Sequence, residues 1–396
     1  MKPSRSRVGL TLLAFFAFLL AGCWDRREIN DIAFVSATAV DQAGDKVRVT
    51  VQFPLPGQMG GTGSTGGGGG TAGKKPWHTE TAEARTGREA NVLQQEAMSR
   101  FLNFSHRRVL VIGEEKAELG IADVMDILGR ISQNRMTAYP LISTGTAEEM
   151  FRVDASMERI PAETLRELAA LSYAKPITIQ DVVDALLTDG VDPYLPLIAA
   201  QKGQGADQEA KQARLNGIAV FRADKLVARF TGSKSKGLLF ALEQTKQPIV
   251  TVKAPEGKGF ISLRVINSKV KLDTRPNGST PRLRLSLKGE MVASENRSTF
   301  RFSENQSTIA RLEEAVNRDV ERSIRSALTT TQELGADPVG FGLHLYRHHP
   351  AAWRKLRREW RDAYRRAELS VDVRIRLLHP GTITYPLGIS KEDLER

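Results

Sequence analysis

Cysteine is almost missing from this chain, which has only Cys23 among its 396 residues. A single thiol cannot form an intrachain disulfide, so we expect packing alone to stabilise the fold. The hydrophobic and charged fractions, 41% and 26%, are those of ordinary globular domains and exclude a disordered chain. The length is enough for two or three domains, each with its own core.

Groups that carry catalysis are also scarce. The sequence has no G-x-S-x-G motif, and its carboxylates show no pairing that would indicate acid–base chemistry. Among six histidines, His344 and His348 could share a helix face, but a third ligand is missing and Leu345 replaces the glutamate of the metalloprotease motif. We therefore predict no catalytic residue, no metal site and no cofactor.

A glycine-rich stretch, residues 60–73, contains two incidental motif matches. Residues 61–66 fit the dinucleotide pattern G-x-G-x-x-G, and the run that ends at Lys74 and Lys75 nearly fits a P-loop. A working phosphate site needs a helix directly after the glycines, and the next predicted helix starts about twenty residues after the dinucleotide pattern. The stretch is therefore interpreted as a flexible loop.

Long apolar runs are rare, and the first part of the chain holds the clearest one, Val8 to Leu20. It follows the basic residues Lys2, Arg5 and Arg7 and ends in small residues. Because it is shorter than the roughly 20 residues of a transmembrane helix, residues 1–22 are predicted to be a cleaved export signal.

The end of this signal, Leu20-Ala21-Gly22-Cys23, matches the lipobox of bacterial lipoproteins. In that pattern the cysteine thiol receives a diacylglycerol, and two acyl chains give stable membrane anchoring. We predict lipidation at Cys23, since the sole cysteine lies at the required position. The alternative is an ordinary signal peptide that ends at an incidental cysteine.

The chain is basic, with a formal net charge of +11, of which the signal contributes Lys2, Arg5 and Arg7, and a pI near 9.7. Such a balance is typical of nucleic-acid-binding proteins, but export argues against a nucleic-acid partner. An anionic lipid surface lies within reach of a tethered protein and would attract a basic face.

Hydrophobic periodicity in the first half alternates between strands and helices. Strands are predicted over 32–40, 46–53, 108–112 and 139–143, and helices over 121–131 and 179–187. A further helix begins at Thr86 and Glu89, a capping box, with a stripe that continues through Leu93 to Phe101 and Phe104. Thr146 and Glu149 form a second predicted capping box.

The second half is predicted to open with a hairpin over 215–230, followed by a helix over 236–245. Strands are predicted over 249–252, 260–272 and 282–292, then a long helix capped by Ser303 and Gln306, shorter helices, and a final strand over 369–378. The fold class is α+β and multidomain, with mixed or antiparallel sheets packed with helices.

The main boundary is placed in the polar tract after residue 200. The predicted domains are an N-terminal α+β domain over 23–200, a linker over 201–213 and a C-terminal α+β domain over 214–396. Within the first domain, residues 160–200 are a candidate separate helical region.

A basic segment in the last third is the best candidate for an interaction site. Its apolar face carries Trp353, Leu356, Trp360 and Tyr364 at helical spacing. Its other faces carry seven cations: Arg354, Lys355, Arg357, Arg358, Arg361, Arg365 and Arg366. One interpretation is a core stripe with a solvated back, and the other is a basic face directed at anionic lipid or an acidic partner. Membrane insertion of the tryptophans is a third interpretation, ranked below core burial.

Four stretches of the sequence carry a resemblance to a known family. They are residues 23–29, C-W-D-R-R-E-I, residues 105–114, which contain H-R-R-V-L-V-I-G-E, residues 217–221, G-I-A-V-F, and residues 336–342, A-D-P-V-G-F-G. In this order they resemble the mature start, the H-x-x-x-x-x-I-G-E strand, the hairpin and the C-terminal signature of the spore-germination C-subunit lipoproteins, the Ger(x)C family. The matches follow the family's order across nearly the whole mature chain.

The resemblance implies a non-enzymatic subunit of a nutrient-germinant receptor, tethered to the outer face of the spore inner membrane. Its implied partners are a membrane-embedded A subunit and a transporter-like B subunit. Only Cys23 is carried over as a functional residue, and the resemblance does not say whether this subunit binds a germinant.

Two other classes remain as alternatives. A solute-binding lipoprotein of an importer would share the anchor and would need two similar α/β lobes around a cleft. A lipid-anchored envelope enzyme would need a triad, metal cluster or phosphate loop that the sequence does not display.

Overall fold

The computed structural model of the chain describes residues 28–55, 75–155, 157–203, 210–302 and 306–381. The export signal, Cys23 and the glycine-rich stretch 60–73 lie outside the described residues, as does Ser303. The described residues form three sheets with helices packed against them, which confirms mixed sheets packed with helices.

An eight-stranded sheet forms the first and larger layer, in the order β10-β9-β8-β7-β6-β2-β3-β4. Its strands are β2 (Ala37–Ala43), β3 (Lys46–Pro54), β4 (Trp77–Ala84), β6 (Val109–Gly113), β7 (Tyr139–Ser143), β8 (Tyr194–Lys202), β9 (Lys211–Arg222) and β10 (Lys225–Phe230). The central strands β2, β6, β7 and β8 run parallel, and antiparallel hairpins extend both sides. Beside it, β1 (Ile32–Phe34) pairs in parallel with β5 (Phe101–Asn103).

Helices cover both faces of this sheet, because its central strands are apolar on both sides. They are α1 (Gly87–Glu96), α2 (Glu114–Leu119), α3 (Ala122–Arg130), α4 (Pro161–Ser172), α5 (Ile179–Leu187) and α6 (Gly232–Ala241). On β6, Leu110 and Ile112 join the core under α3 and α5, while Val109 and Val111 join the core under α4. The candidate helical region 160–200 therefore contributes one helix to each face.

A four-stranded mixed sheet forms the second layer, in the order β11-β12-β13-β14. Its strands are β11 (Ile249–Lys253), β12 (Gly259–Arg275), β13 (Arg282–Ser298) and β14 (Glu368–His379). Helices α7 (Gln306–Leu334), α8 (Phe341–His348), α9 (Pro350–Leu356) and α10 (Trp360–Arg366) cover one face and share its core. Strand β13 alternates between exposed and buried residues, as predicted, yet it pairs with β14 in parallel.

The tract expected to be a linker, residues 201–213, is described at both ends. Its flanks belong to β8 and β9, which pair with each other up to Lys202 and Lys211. Strands β9 and β10 thus extend the sheet of the N-terminal half, and the division into independent domains at this tract stays a prediction. The two sheets differ in strand number and topology, unlike the two similar lobes expected of the importer alternative.

Several local predictions are wrong. The strand predicted over 32–40 is divided into β1 and β2, which belong to different sheets. Helix α1 ends at Glu96, because Phe101 enters β5 and pairs with Ile32. Thr146 and Glu149 do not form a capping box; the backbone N–H groups of Ala147 and Glu148 donate instead to the buried Asp41 carboxylate, at 2.6 and 3.0 Å. No helix in the described part of the chain is both long and apolar enough to cross a bilayer.

Candidate functional site: a basic surface beside the junction of the two sheets

The basic segment predicted from the sequence forms helices α9 and α10 with a short 3-10 turn, Arg357–Glu359, between them. Pro350 occupies the first turn of α9, where a missing N–H costs nothing. Trp353, Leu356, Trp360 and Tyr364 are only 1–9% exposed. The prediction of an aromatic core stripe is confirmed.

The aromatic side chains of this stripe pack on one another inside the second layer. The ring centroids of Trp353 and Trp360 are 5.6 Å apart, and those of Trp360 and Tyr364 are 6.0 Å apart. The Tyr364 hydroxyl lies 2.9 Å from the hydroxyl of Thr331 on α7. This burial does not agree with insertion of the two tryptophans into a membrane.

Asp337, in the turn before α8, organises the start of that helix. Its carboxylate accepts hydrogen bonds from the backbone N–H groups of Gly340, Phe341 and Gly342 at 2.8–3.1 Å, and from the indole N–H of Trp360 at 3.2 Å. Burial raises the pKa of Asp337 to about 7, against the lowering effect of the backbone donors. This one side chain therefore fixes the aromatic segment to the preceding turn.

A second carboxylate, Asp192, joins this turn to the eight-stranded sheet. It lies between α5 and β8 and accepts from the backbone N–H groups of Asp337 and Ala223, at 2.8 and 2.7 Å. Its own backbone N–H donates to the Asp337 carbonyl at 2.9 Å. The guanidinium of Arg361 also donates to the Asp192 carboxylate, at 3.3 Å. The two halves of the chain are thus connected through paired polar groups at a buried junction.

Close backbone packing completes the junction. The Leu343 N–H donates to the Gly190 carbonyl at 2.9 Å. Gly190 has a φ of +83°, and a Cβ on it would lie only 2.6 Å from the carbonyl carbon of Gly342. Glycine is therefore required on this side, because any side chain would push the two segments apart.

All seven predicted cations of the basic segment are exposed, but they differ in their contacts. Arg361 reaches Asp192 and the Gly335 carbonyl, and Arg365 reaches Asp362 and the Leu334 carbonyl. Among the described residues, no carboxylate lies within ion-pair distance of the remaining five: Arg354, Lys355, Arg357, Arg358 and Arg366. We call these five residues the basic surface.

A groove of about 220 Å³ separates the basic surface from the loop before β8. Arg357 and Arg358 line one side, and Asp189, Gly190 and Asp192 line the other. The charges across this groove are of opposite sign, which favours a fixed position for the segment. The cationic groups on the outer side remain available to an anionic surface.

The histidines of α8 have a structural environment. The rings of His344 and His348 stack with centroids 4.0 Å apart, and Nδ1 of His344 accepts from the Thr274 N–H at 3.3 Å. Burial lowers the pKa of His344 and favours its neutral form. Within the described ranges, no three His, Cys, Asp or Glu side chains are grouped to hold a metal ion.

Sequence reasoning found the basic surface but missed the two carboxylates that hold it in place. Asp337 carried a local signal, since it stands three residues before Gly340 and four before the first residue of α8. Asp192 carried none, because its partners lie as far as 169 residues away along the chain. The lipobox residues Leu20, Ala21 and Gly22, with Cys23, are outside the described residues, so lipidation stays a prediction.

Comparisons with known proteins give matches in both halves of the chain. The model of the spore germination protein N-terminal domain matches residues 25–200, and that of the spore germination B3/GerAC-like C-terminal domain matches residues 216–381. The putative spore germination protein YfkR of Bacillus subtilis is 36% identical over 97% of this chain and 99% of its own length. Spore germination protein KC of the same organism is 27% identical over 92% of each chain.

The fold is also similar to a solved structure. The crystal structure of the GerBC protein superposes with a TM-score of 0.57 at 17% identity, covering 89% of this chain and 100% of that one. At this identity the likeness concerns the fold alone.

Proposed function

The chain belongs to the GerAC/B3 family of spore germination proteins, and from this premise we propose that it is the lipoprotein C subunit of a nutrient-germinant receptor. The observation that carries the proposal is the pair of family matches, which together span residues 25–200 and 216–381. The relative YfkR supports it, because 99% of that protein's length aligns with this chain.

In this proposal the protein acts by contact and not by catalysis. It would be exported, lipidated at Cys23 and held on the outer face of the spore inner membrane, beside membrane-embedded A and B subunits. The structure supports a contact role, because the segment that carries the basic surface packs through its buried aromatic residues and is hydrogen-bonded to the buried polar junction. The five cations of the basic surface are the side chains we propose for contact with anionic lipid or an acidic partner.

Germination of spores from a deletion strain tests the receptor role. Spores of the deletion strain, and of strains complemented with wild type or Cys23→Ala, would be given a panel of amino acids and sugars. Loss of refractility would be followed, with a trigger that bypasses nutrient receptors as a control. We expect the deletion to abolish the response to particular nutrients while the bypass trigger still works.

Complementation separates the anchor from the receptor role. We expect wild type to restore the response, and Cys23→Ala to restore little of it, because the unlipidated chain would be held weakly by membranes. The membrane fraction of each strain would be assayed for the protein. Tight membrane retention of Cys23→Ala would contradict the anchor, and a normal response to every nutrient in the deletion strain would contradict the receptor role.

A further inference from the structure

Arg107 is a buried cation that has no counter-ion within the described ranges of the chain. Arg107 is only 4% exposed and lies two residues before the start of β6. Among the described residues, its hydrogen-bond acceptors are neutral: the Thr38 hydroxyl at 3.3 Å and the side-chain oxygen of Asn134. The Phe104 ring lies 5.6 Å away and adds a weak cation–π contact. A guanidinium buried without an anion is costly, which makes this site unusual.

Two residues that line the same cavity, Arg107 and Asn91, each have a buried polar atom without a hydrogen-bond partner among the described residues. In the described part of the chain, neither the Nε–H of Arg107 nor the side-chain oxygen of Asn91 has a hydrogen-bond partner, although both atoms are buried. One is a donor and the other an acceptor. Unsatisfied buried groups need an explanation, and a bound molecule that offers both an acceptor and a donor would supply one here.

Both side chains line a small cavity of about 40 Å³ beneath α1 and α3. This cavity shares walls with a groove of about 510 Å³ that opens between the two helices. Val40, Val49, Gly87, Val124, Ile127 and Ile131 line both spaces. The guanidinium therefore lies at the closed end of a groove whose shared lining is apolar, while the rest of the groove also has charged lining residues: Arg85, Arg88, Asp123, Asp126 and Arg130. The volume of the groove is within the usual range for small-molecule sites.

Asn134 fixes the orientation of the closed end. Its amide nitrogen donates to the carbonyls of Leu128 and Ile127 at the end of α3, at 3.1 and 3.4 Å. Its oxygen is thereby turned toward Arg107, which holds the guanidinium in place. A preorganised guanidinium binds carboxylate well because less side-chain freedom is lost on binding.

From these contacts we propose that the groove binds a small molecule with one carboxylate and a short aliphatic body. The carboxylate accepts from the guanidinium of Arg107, whose single charge balances a single negative charge. The aliphatic body lies against Val40, Val49 and Ile127. If the molecule also has an α-ammonium group, the free oxygen of Asn91 is its acceptor. This site is separate from the basic surface, and its test does not depend on the receptor role.

Binding to the purified full-length chain in detergent tests the proposal by isothermal titration calorimetry. The probes are 3-methylbutanoate, L-valine, the uncharged 3-methylbutanamide, and inorganic phosphate. We expect saturable binding of at least one of the two carboxylates, with the amide and phosphate at least about tenfold weaker, the effect of losing one charge-assisted hydrogen bond. Binding of L-valine alone would identify an amino acid as the ligand, and binding of both an aliphatic carboxylate in general.

Two variants link binding to this groove. Arg107→Met removes the charge and should weaken carboxylate binding at least about tenfold. Gly87→Leu leaves Arg107 in place and fills the groove, since a Cβ on Gly87 would already contact Ile127 at 3.5 Å. It should abolish binding as well, and it covers the case in which Arg107→Met fails to fold.

Arg108→Met is the matched control, because Arg108 is the next residue but does not line either space. It should bind the carboxylates as wild type does. The proposal is overturned if no carboxylate binds, if the amide or phosphate binds as tightly as the carboxylates, or if Gly87→Leu leaves carboxylate binding unchanged.

Discussion

At the scale of single residues, Asp337 shows how a buried carboxylate can organise a turn and also make stability depend on pH. Four N–H groups donate to it, and the residue is only 2% exposed. Burial raises its pKa to about 7, whereas an aspartate in the unfolded chain titrates near 3.9. The folded protein therefore binds this proton more tightly than the unfolded chain does.

The sign of the resulting pH dependence follows from linkage. The contribution of the Asp337 proton to stability is complete below about pH 4 and is lost as the pH rises to about 7. We expect the free energy of unfolding to fall across this window by about 1–4 kcal/mol more in wild type than in Asp337→Asn, which has no proton to lose. Urea denaturation of the two proteins at several pH values would measure the free energy of unfolding. Parallel pH profiles of the two proteins would contradict the raised pKa of Asp337.

Arg361 shows that adjacent cations with the same sequence signature can have different roles. It was predicted as part of a basic face, yet its guanidinium holds Asp192 at the junction and donates to the Gly335 carbonyl. Arg357 and Arg358 lie on the same segment, and no such contact is found for them among the described residues. Charge reversal at Arg361 would therefore test packing and not surface binding.

At the scale of elements, helices α6 and α7 cross at a glycine. A Cβ on Gly237 would lie 2.7 Å from the backbone nitrogen of Ile324 on α7, and closer still to the Ser323 carbonyl. Neither backbone can yield locally, because both belong to continuous helices. The crossing therefore brings the two helices into direct backbone contact, which joins α6 of the first layer to the long helix of the second.

We expect Gly237→Ala to destabilise the protein by about 1–3 kcal/mol, the usual cost of overpacking. Gly129→Ala is the matched control, since Gly129 is also in a helix but nothing lies within 4 Å of an added Cβ. The control should be neutral or stabilised by up to about 1 kcal/mol. The midpoint of urea denaturation would be measured for both, and equal stability of the two variants would contradict a tight crossing.

Elements with local signals were predicted well from the sequence. Helix α5 has the predicted bounds, Ile179–Leu187, because Thr178 and Asp181 form a capping box at its start. Strand β7 also has its predicted bounds, Tyr139–Ser143. The buried face of the basic segment was predicted from helical spacing alone. In each case the deciding information lies within a few residues of the element.

Features that depend on distant residues were not predicted. The backbone N–H of Ala147, after β7, donates to the carboxylate of Asp41, which lies more than 100 residues earlier in the chain. The local Thr146–Glu149 pattern was therefore misleading. The parallel pairing of β13 with β14 joins residues such as Arg282 and Glu368 and has no local signature. The Arg107 groove was missed for the same reason, since its walls come from strands and helices that only the fold brings together.

At the scale of the whole molecule, the junction explains why a basic surface can be both exposed and rigid. The outer face of the segment from α9 to α10 carries the basic surface, while the inner face is fixed through Trp360 and Asp337 to Asp192 of the other layer. The junction therefore holds the backbone that carries these cations in one position. For a protein tethered at its N-terminus, such a surface would set the orientation toward an anionic membrane.

Charge reversal on the basic surface tests this orientation. Binding of the unlipidated Cys23→Ala chain to anionic vesicles would be measured by sedimentation. Arg357→Glu with Arg358→Glu should lower the binding constant by about 10- to 30-fold at low salt, because each cation lost costs about 1 kcal/mol. Lys269→Glu with Lys271→Glu on β12 makes the same change in net charge at another exposed site and should have a smaller effect. Because added salt screens exposed charges, the difference between the two pairs should shrink as the salt concentration rises. Equal loss in both pairs would mean that net charge, and not the basic surface, determines membrane association.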